Sequence, residues 1–475
     1  MKGNRNIRKK YPIFVIILST IVTYLPYFKN TFGIDTSTMI MDQRQMLEGY
    51  LSQGRFGIVW LYDILIHHYN NQLVPFIAIP LLAISGIYCY FIINKYDNKS
   101  SNFVTMLFTI AFINNPVVYS QLYFKMQTLP MIIGLICILL GMHLSLSEVR
   151  SWAKIIFISL LFAFSILIYQ VFVFFIFTMM LFCLLIFKDK RQDILRAMLP
   201  SWLIAGVIYG LVYKLSALMI YYSTYGNETY MMWTQLGTVG GLQKVGAVVI
   251  AILAIAYAAL VILTILRYRT GAKIDGLLLV LLLGSILTFN MAFGNIKAAP
   301  RVYFGTFSVV FAGIVYSFAK KGKEFKYLSV ALTIVSMILT FSLSQKANAS
   351  YANDVVLMYD VVAFATQNKI LTPAEKETNL VFIGQSQVGN QGIIHKLQDI
   401  FITGATRTSF FQFDPPLTSV RPYDFLKIHG HDFKIPDQEL RAKAAVMYSE
   451  LPDYPNHQSM TFETETKTII VKLSN

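Results

Sequence analysis

Charged side chains are scarce in this chain. They make up 14% of its 475 residues, against 55% hydrophobic, where a soluble domain carries roughly a quarter charged. That shortfall excludes a water-covered surface over most of the length. Acidic residues are the scarcer sign: 25 Asp and Glu stand against 40 Lys and Arg, a net charge of +15. The excess does not point to nucleic acid, because the basic residues are short flanks of apolar runs, as topogenic signals are. Only three cysteines occur, Cys89, Cys137 and Cys183, each inside an apolar run. They read as small buried hydrophobes and exclude a disulfide framework or a cysteine metal site. A nucleotide-cradling loop is missing as well. The stretch from Gly384 to Gly392, GQSQVGNQG, lacks the Gly-Lys-Ser/Thr ending and reads as a turn. No small-x-small cleavage site follows the basic N-terminus, so the run 11–28 is expected to be a retained first span.

What is present in quantity is apolar sequence. A hydrocarbon core of roughly 30 Å takes about 20 helical residues to cross. Further spans are expected near residues 72–94, 102–120, 127–146, 200–222, 245–266, 276–292, 302–319 and 327–344. The block 154–187 is about twice the spanning length. It has basic residues at both ends, so it should fold as a tight pair turning near Tyr169 and Gln170. The total is about eleven spans. Lys and Arg gather in alternate gaps, roughly twenty in those assigned to the cytoplasm and roughly six in the others. This puts the N-terminus inside and everything after Ser344 outside. The fold class is therefore an α-helical polytopic membrane protein (1–345) with a small extracytoplasmic α/β domain (346–475). In the latter, 379–383 and 468–473 read as strands, 354–367 and 438–450 as helices, and Asp414-Pro415-Pro416 as a turn.

The first outward gap, 29–71, is too long to be a connector. Ile40, Leu47 and Leu51 recur at helical spacing, with Asp42, Arg44 and Glu48 on other faces, as in an amphipathic helix lying on the outer leaflet. Asp35 precedes it. A carboxylate beside Arg44 and Arg55 suits a membrane-bound transferase, as base for an acceptor hydroxyl near cations that hold an anionic leaving group. The plainer account has Asp35 capping the helix and both arginines snorkelling to lipid phosphate; spacing alone favours it. Lys297 and Arg301, on either side of Pro300, can bind a phosphate at the lipid boundary or simply anchor a helix end. Lys214 lies inside an apolar span, a costly place for charge, and Lys125 sits in another outward gap. Tyr169 and Gln170 need partners at membrane depth and face a cavity or a neighbouring helix. His67 and His68 are adjacent, hence on different faces of a helix; His429 and His431, two apart, could seat a metal on a strand only with Asp432 or a distant third ligand, and no metal is expected.

Several short elements, taken in order, carry a resemblance. They are Gly33-Ile34-Asp35 opening the first outer loop, Gln53-Gly54-Arg55 closing its helix, Asn115-Pro116 before the 125–130 segment, Tyr169-Gln170, and Pro300-Arg301. In this the chain resembles the bacterial and phage type II Gtr glucosyltransferases, of the GT-C class of polytopic glycosyltransferases. The resemblance implies a reaction on the outer face of the cytoplasmic membrane. The donor it implies is glucose on polyprenyl phosphate, and the acceptor a surface glycan. It maps the base onto Asp35 with Asp42 in reserve; the family pattern often pairs two acidic residues, where this chain has Asp35-Thr36. It implies an inverting attack, with Arg301, Lys297 and Arg55 offsetting the departing phosphate and Arg44, Lys125 and Lys214 as further cations. Neither a nucleotide nor another cofactor nor a metal is required. A flippase or transporter of lipid-linked sugars would show internal repeats with broken spans in matching places, which the sequence does not display. A glycan polymerase or ligase would carry its large outer loop in the later half of the chain.

Overall fold

The computed structural model describes residues 2–97, 100–147, 152–223, 271–288, 299–370, 374–386, 393–403, 408–414 and 417–474. In chain order the helices of the first half are α1 (Lys2–Thr23), α2 (Thr36–Met41), α3 (Gln43–Ser52), α4 (Phe56–Leu61), α5 (Leu73–Tyr96), α6 (Asn102–Ile113), α7 (Pro116–Leu122), α8 (Lys125–Leu146), α9 (Trp152–Ile168), α10 (Phe172–Ile186) and α11 (Arg191–Ser223). After them come α12 (Gly271–Gly284), α13 (Phe304–Lys321) and α14 (Lys323–Gln367).

Among the described residues, five helical stretches are long and apolar enough to cross a bilayer: Leu73–Tyr96, Lys125–Leu146, Lys188–Ser216, Pro300–Lys321 and Lys323–Gln367. A sixth forms if α6 and α7, bent by 42°, count as one broken span. This is fewer than the eleven expected, for two reasons. The expected positions 11–28, 154–187 and 276–292 hold the shorter apolar helices Tyr11–Thr23, Trp152–Ile168, Phe172–Ile186 and Ile274–Leu287, each below the roughly 20 residues of a straight crossing. The position 245–266 lies outside the described residues. The 154–187 block does break at Tyr169–Gln170, between α9 and α10.

Polarity along α14 explains why such helices seek lipid. Ser329, Thr333, Ser336, Thr340 and Ser344 are buried at three- and four-residue spacing, while Ile334, Val335, Ile338 and Leu339 are exposed. Small hydroxyl residues face the neighbouring helices and apolar side chains face outward, as membrane helices pack. Most of these hydroxyls are paired: Thr333 and Thr340 donate to the carbonyls of Ser329 and Ser336, Ser329 to that of Phe325, and Ser336 across to that of Asn114. The α6–α7 bend has an equally local cause. Pro116 ends α6 and starts α7, and the Asn115 side chain accepts from Val117 and Val118 N–H while donating to Ser308 Oγ on α13 at 3.0 Å.

The helix α14 runs 45 residues without a break, so the junction at 345–346 falls inside it. Its far end builds the C-terminal core. Leu357, Met358, Val361 and Ala365 pack with Leu380, Phe410, Phe425, Ile469 and Val471. The sheet is small, in order β1 (Asn379–Ile383), β3 (Thr468–Lys472), β2 (Met460–Glu463), with β1 parallel and β2 antiparallel to β3. The helices α16 (Arg421–Ile428) and α17 (Gln438–Met447) pack on it, whereas α15 (Ile393–Thr403) packs on α7, the Pro300–Tyr303 turn and α14. Buried Asp354 of α14 accepts from Ser409 Oγ and Phe410 N–H, fastening the domain to its stalk. One residue of the first loop enters the same core: Phe32, 8% exposed, lies against Tyr351, Phe410 and Phe425. Truncating a buried phenylalanine costs about 3 kcal/mol or more. Phe32→Ala is expected to make the C-terminal domain the first part to open, measured as faster proteolysis of that domain in purified protein; unchanged cleavage would show that the loop is not part of this core.

Candidate active site at the first loop

Two glycines shape the loop that carries the candidate carboxylate. Gly33 is pressed against Tyr123, at the junction of α7 and α8, where an added Cβ would come 2.9 Å from both the ring and the carbonyl oxygen. Two residues on, Asp35 occupies the N-cap position of α2 but makes no capping bond. Its Oδ1 accepts instead from Arg421 Nη1 at 3.1 Å. Arg421 belongs to α16 in the C-terminal domain; its Nε also holds Asp414 at 3.0 Å, and its guanidinium lies 4.9 Å from the Phe413 ring centre. The capping role falls to Asp42, whose Oδ1 accepts from Gln45 N–H at 3.0 Å. Its extended backbone, φ −145°, separates α2 from α3, so the single amphipathic helix expected here is two short ones. Asp42 is exposed, and Arg44 pairs with Glu48 on the exposed face at 3.1 Å.

Gly54 has φ +72°, a conformation that only glycine adopts freely, and a Cβ there would meet Tyr209 and Tyr213 at 2.9 Å. The reversal sends Arg55 back over the loop. Its guanidinium carbon lies 4.6 Å from the Tyr169 ring centre and 5.7 Å from that of Tyr50. Among the described residues Arg55 has no carboxylate partner, and its buried Nε has no hydrogen bond. Tyr169 and Gln170 are buried, and Gln170 Nε2 donates to the Gln53 carbonyl at 2.5 Å. The turn between α9 and α10 thus pins the end of α3. Tyr50 lies at the centre, 1% exposed. Burial pushes its phenol well above the ordinary range; the Arg55 guanidinium opposes this, and Asp35 and Tyr169 add to it. A hydrogen bond from Gln127 also lowers it, and Asp35 acts on the phenol only at longer range.

The remaining candidates are distributed as follows. Arg301, on the short turn Pro300–Tyr303, donates from Nη1 to the Thr403 carbonyl at 2.8 Å and covers the Phe124 ring at 4.4 Å. It sits on Phe124 while Asp35 lies within electrostatic reach of the adjacent Tyr123 phenol; the two share one end of the bundle without touching. Lys125, 3% exposed, donates to the Lys29 carbonyl at 3.1 Å beside the Tyr27 ring, closing the base of the loop. Lys214 is exposed on α11 between Leu211 and Leu215. Lys297 lies outside the described residues. His429 is bonded to Tyr351 and packed on Phe425, and His431 pairs with Glu375. Among the described residues no three His, Cys, Asp or Glu side chains gather as a metal site. The sequence reading did not single out Tyr50, Tyr123, Gln121, Gln127 or Arg421. The available signal was the pair of glutamines flanking Lys125 in an otherwise apolar stretch.

An apolar helical bundle with a charged loop folded over one end is the architecture of an integral membrane protein. A family model described as Glucosyl transferase GtrII matches residues 24–364, and the chain belongs to this glucosyltransferase family. Membership implies transfer of glucose from a sugar donor to a glycan acceptor. Neither a curated protein nor a solved structure matches the chain. The matched region contains Asp35, Arg55, the Tyr169–Gln170 turn and Arg301, but ends before Arg421. Both partners of the Asp35–Arg421 pair are partly exposed, 37% and 24%, so the pair adds about 1 kcal/mol or less to stability. Arg421→Met is accordingly expected to leave the unfolding midpoint within about 3 °C of wild type, read by scanning fluorimetry in detergent. A larger fall would make the pair a structural pin rather than an orienting contact.

Proposed function

We propose that the protein transfers glucose from a polyprenyl-phosphate carrier to a cell-surface glycan at the outer face of the cytoplasmic membrane, with inversion and without a metal. Residues 1–345 form the catalytic unit and 346–475 an extracytoplasmic domain. The acceptor oxygen bonds to the anomeric carbon as the bond from that carbon to the phosphate oxygen breaks. Asp35 takes the acceptor proton, and the phosphate departs on its lipid. One arrangement carries this reading: Arg55 lies beside buried Tyr50 with no carboxylate partner among the described residues, and Asp35, on the same loop, is near enough to bear on that phenol electrostatically. Inverting transfer from a lipid phosphate needs those two charges in one recess, one to accept a proton and one to offset the leaving group. Arg301 adds a second cation at the same end. Arg421 holds Oδ1 of Asp35 and so aims the other oxygen, Oδ2, at the acceptor. Asp42, committed to capping α3, is not the base.

Asp35→Asn is the direct test. The expected enzyme has normal abundance and donor binding but a turnover lower by about 10² to 10⁴, whereas Asp42→Asn stays active. Full activity in Asp35→Asn would remove the carboxylate from its role. Sidedness is read separately. Asn368→Cys, exposed just beyond α14, should react with an impermeant maleimide in intact cells, and protection until lysis would invert the topology. Purified protein given polyprenyl-phosphate glucose and acceptor should yield glycoside; relocation of the lipid alone would favour a transporter.

A further inference from the structure

The C-terminal domain holds a hollow that the transfer chemistry above does not use. It lies past the carboxyl ends of the parallel strands β1 and β3, where Gly384, Gln385 and Leu473 line it. Its empty space is about 370 Å³, counting its open mouth. The carboxyl edge of parallel strands is where open α/β sheets bind ligands. Gly384 makes the turn there: its φ is +75°, and a Cβ would come 2.0 Å from the Ser474 carbonyl oxygen. Gln385, next along, is then pinned through its N–H to Ser474 Oγ at 3.1 Å.

Three polar side chains in the lining have bonding capacity left over. Arg441 of α17, 9% exposed, donates from Nε to the Pro436 carbonyl and from Nη1 to those of Leu417 and Ser419. Its Nη2 has no partner among the described residues. Asp414 commits Oδ2 to Ser419 Oγ and Arg421 Nε and leaves Oδ1. Gln385 donates from Nε2 to the Asp414 carbonyl and leaves Oε1. One donor and two acceptors therefore remain. A phosphate or carboxylate would suit Nη2 alone and bring its negative oxygens to the two acceptors, while an ammonium group would meet the Arg441 charge. Hydroxyls, which both donate and accept, match all three. Tyr423, Phe411 and Leu417 add an apolar wall, which suits the C–H groups that alternate with hydroxyls around a sugar ring.

The position of the hollow says whose sugar it takes. Arg421, whose Nε holds Asp414, holds Asp35 from Nη1. A single guanidinium thus links the hollow to the candidate base. We infer that the hollow is a subsite for one neutral sugar residue of the acceptor glycan, held by Arg441, Asp414 and Gln385. This rests on the acceptor reading proposed above and adds to it the residues that choose the glycan. A site built to hydrogen-bond substrate hydroxyls rejects an analogue that lacks them, because its own groups then go unpaired.

The test uses purified full-length protein and a panel of methyl glycosides: glucoside, galactoside, mannoside and N-acetylglucosaminide. Methyl glucuronoside and glycerol phosphate serve as charged counterparts, and binding is read by saturation-transfer NMR. Wild type is expected to bind at least one neutral glycoside and neither charged probe. Arg441→Lys and Gln385→Met should each weaken that binding about tenfold, the size of one hydrogen bond. Arg441→Lys also releases carbonyls that the guanidinium clasps, so Gln385→Met, with its unfolding midpoint unchanged, carries the comparison. Undiminished binding in Gln385→Met, a preference for the charged probes, or no neutral glycoside bound by wild type would each overturn the inference. Glucosyl transfer with an unchanged acceptor KM in Gln385→Met would overturn it too, while sparing the transferase. Neutral glycosides bound as expected, but no product from polyprenyl-phosphate glucose, would sink the donor reading and leave the subsite standing.

Discussion

The site depends on how the segment from Phe32 to Asp35 is held. Phe32 is buried in the C-terminal core among Tyr351, Phe410 and Phe425. Gly33 lies in contact with Tyr123 of the helical bundle, and Asp35 reaches Arg421. Three consecutive constraints thus come from two bodies of the fold, within four residues of chain. A side chain larger than hydrogen at position 33 would lift the loop from the bundle, and a small one at position 32 would release it from the domain. The carboxylate is positioned by tertiary packing, since α2, a helix of six residues, is far too short to hold its own N-terminus in place.

The long helix α14 makes that arrangement possible. It rises from the bundle with a polar inner stripe and an apolar outer face, and then supplies Leu357, Met358 and Val361 to the C-terminal core. At the standard rise of 1.5 Å per residue, 45 residues reach roughly 68 Å, well beyond the hydrocarbon core of about 30 Å. Because the same helix belongs to both cores, the domain cannot swing freely about a linker, and Arg421 is brought to the loop by a stiff strut. Asp354, fixed by Ser409 and Phe410, locks the strut to the turn ahead of α16.

Hydropathy located most of the apolar helices but not their lengths or breaks, because it reports composition over a window and not where backbone hydrogen bonding stops. The break at Tyr169–Gln170 was legible, since two polar-capable residues halve an apolar block flanked by basic residues. The strands 379–383 and 468–472 were legible from β-branched runs, whereas their parallel pairing across some ninety residues of chain was not. Continuity of α14 through 345 was hidden by Gln345, Lys346 and Asn348, polar residues that read as a boundary yet are compatible with helix. The two aspartates of the first loop show the sharpest limit. Spacing pointed to Asp35 as the cap, but capping depends on the backbone angle of the residue itself, and only Asp42 has the non-helical geometry that lets its oxygen reach a free N–H. The approach of Tyr50 on α3 to Gln127 on α8 could not be read from sequence, because the two are far apart along the chain.

The family match ends at residue 364, before Arg421 and the whole sheet. The bundle and first loop therefore carry what the family shares, while the guanidinium that orients Asp35 is contributed by the part of the chain outside the match. On the reading advanced above, the division is chemical as well as structural. The donor phosphate falls to Arg55 and Arg301, both inside the match. The acceptor must approach Asp35 from the side where Arg421, Asp414 and Phe413 stand. A domain that aims the base and borders the acceptor's approach can change which glycan is modified while leaving the donor cations of the bundle untouched. That separation follows from placing the carboxylate at the seam of the two bodies.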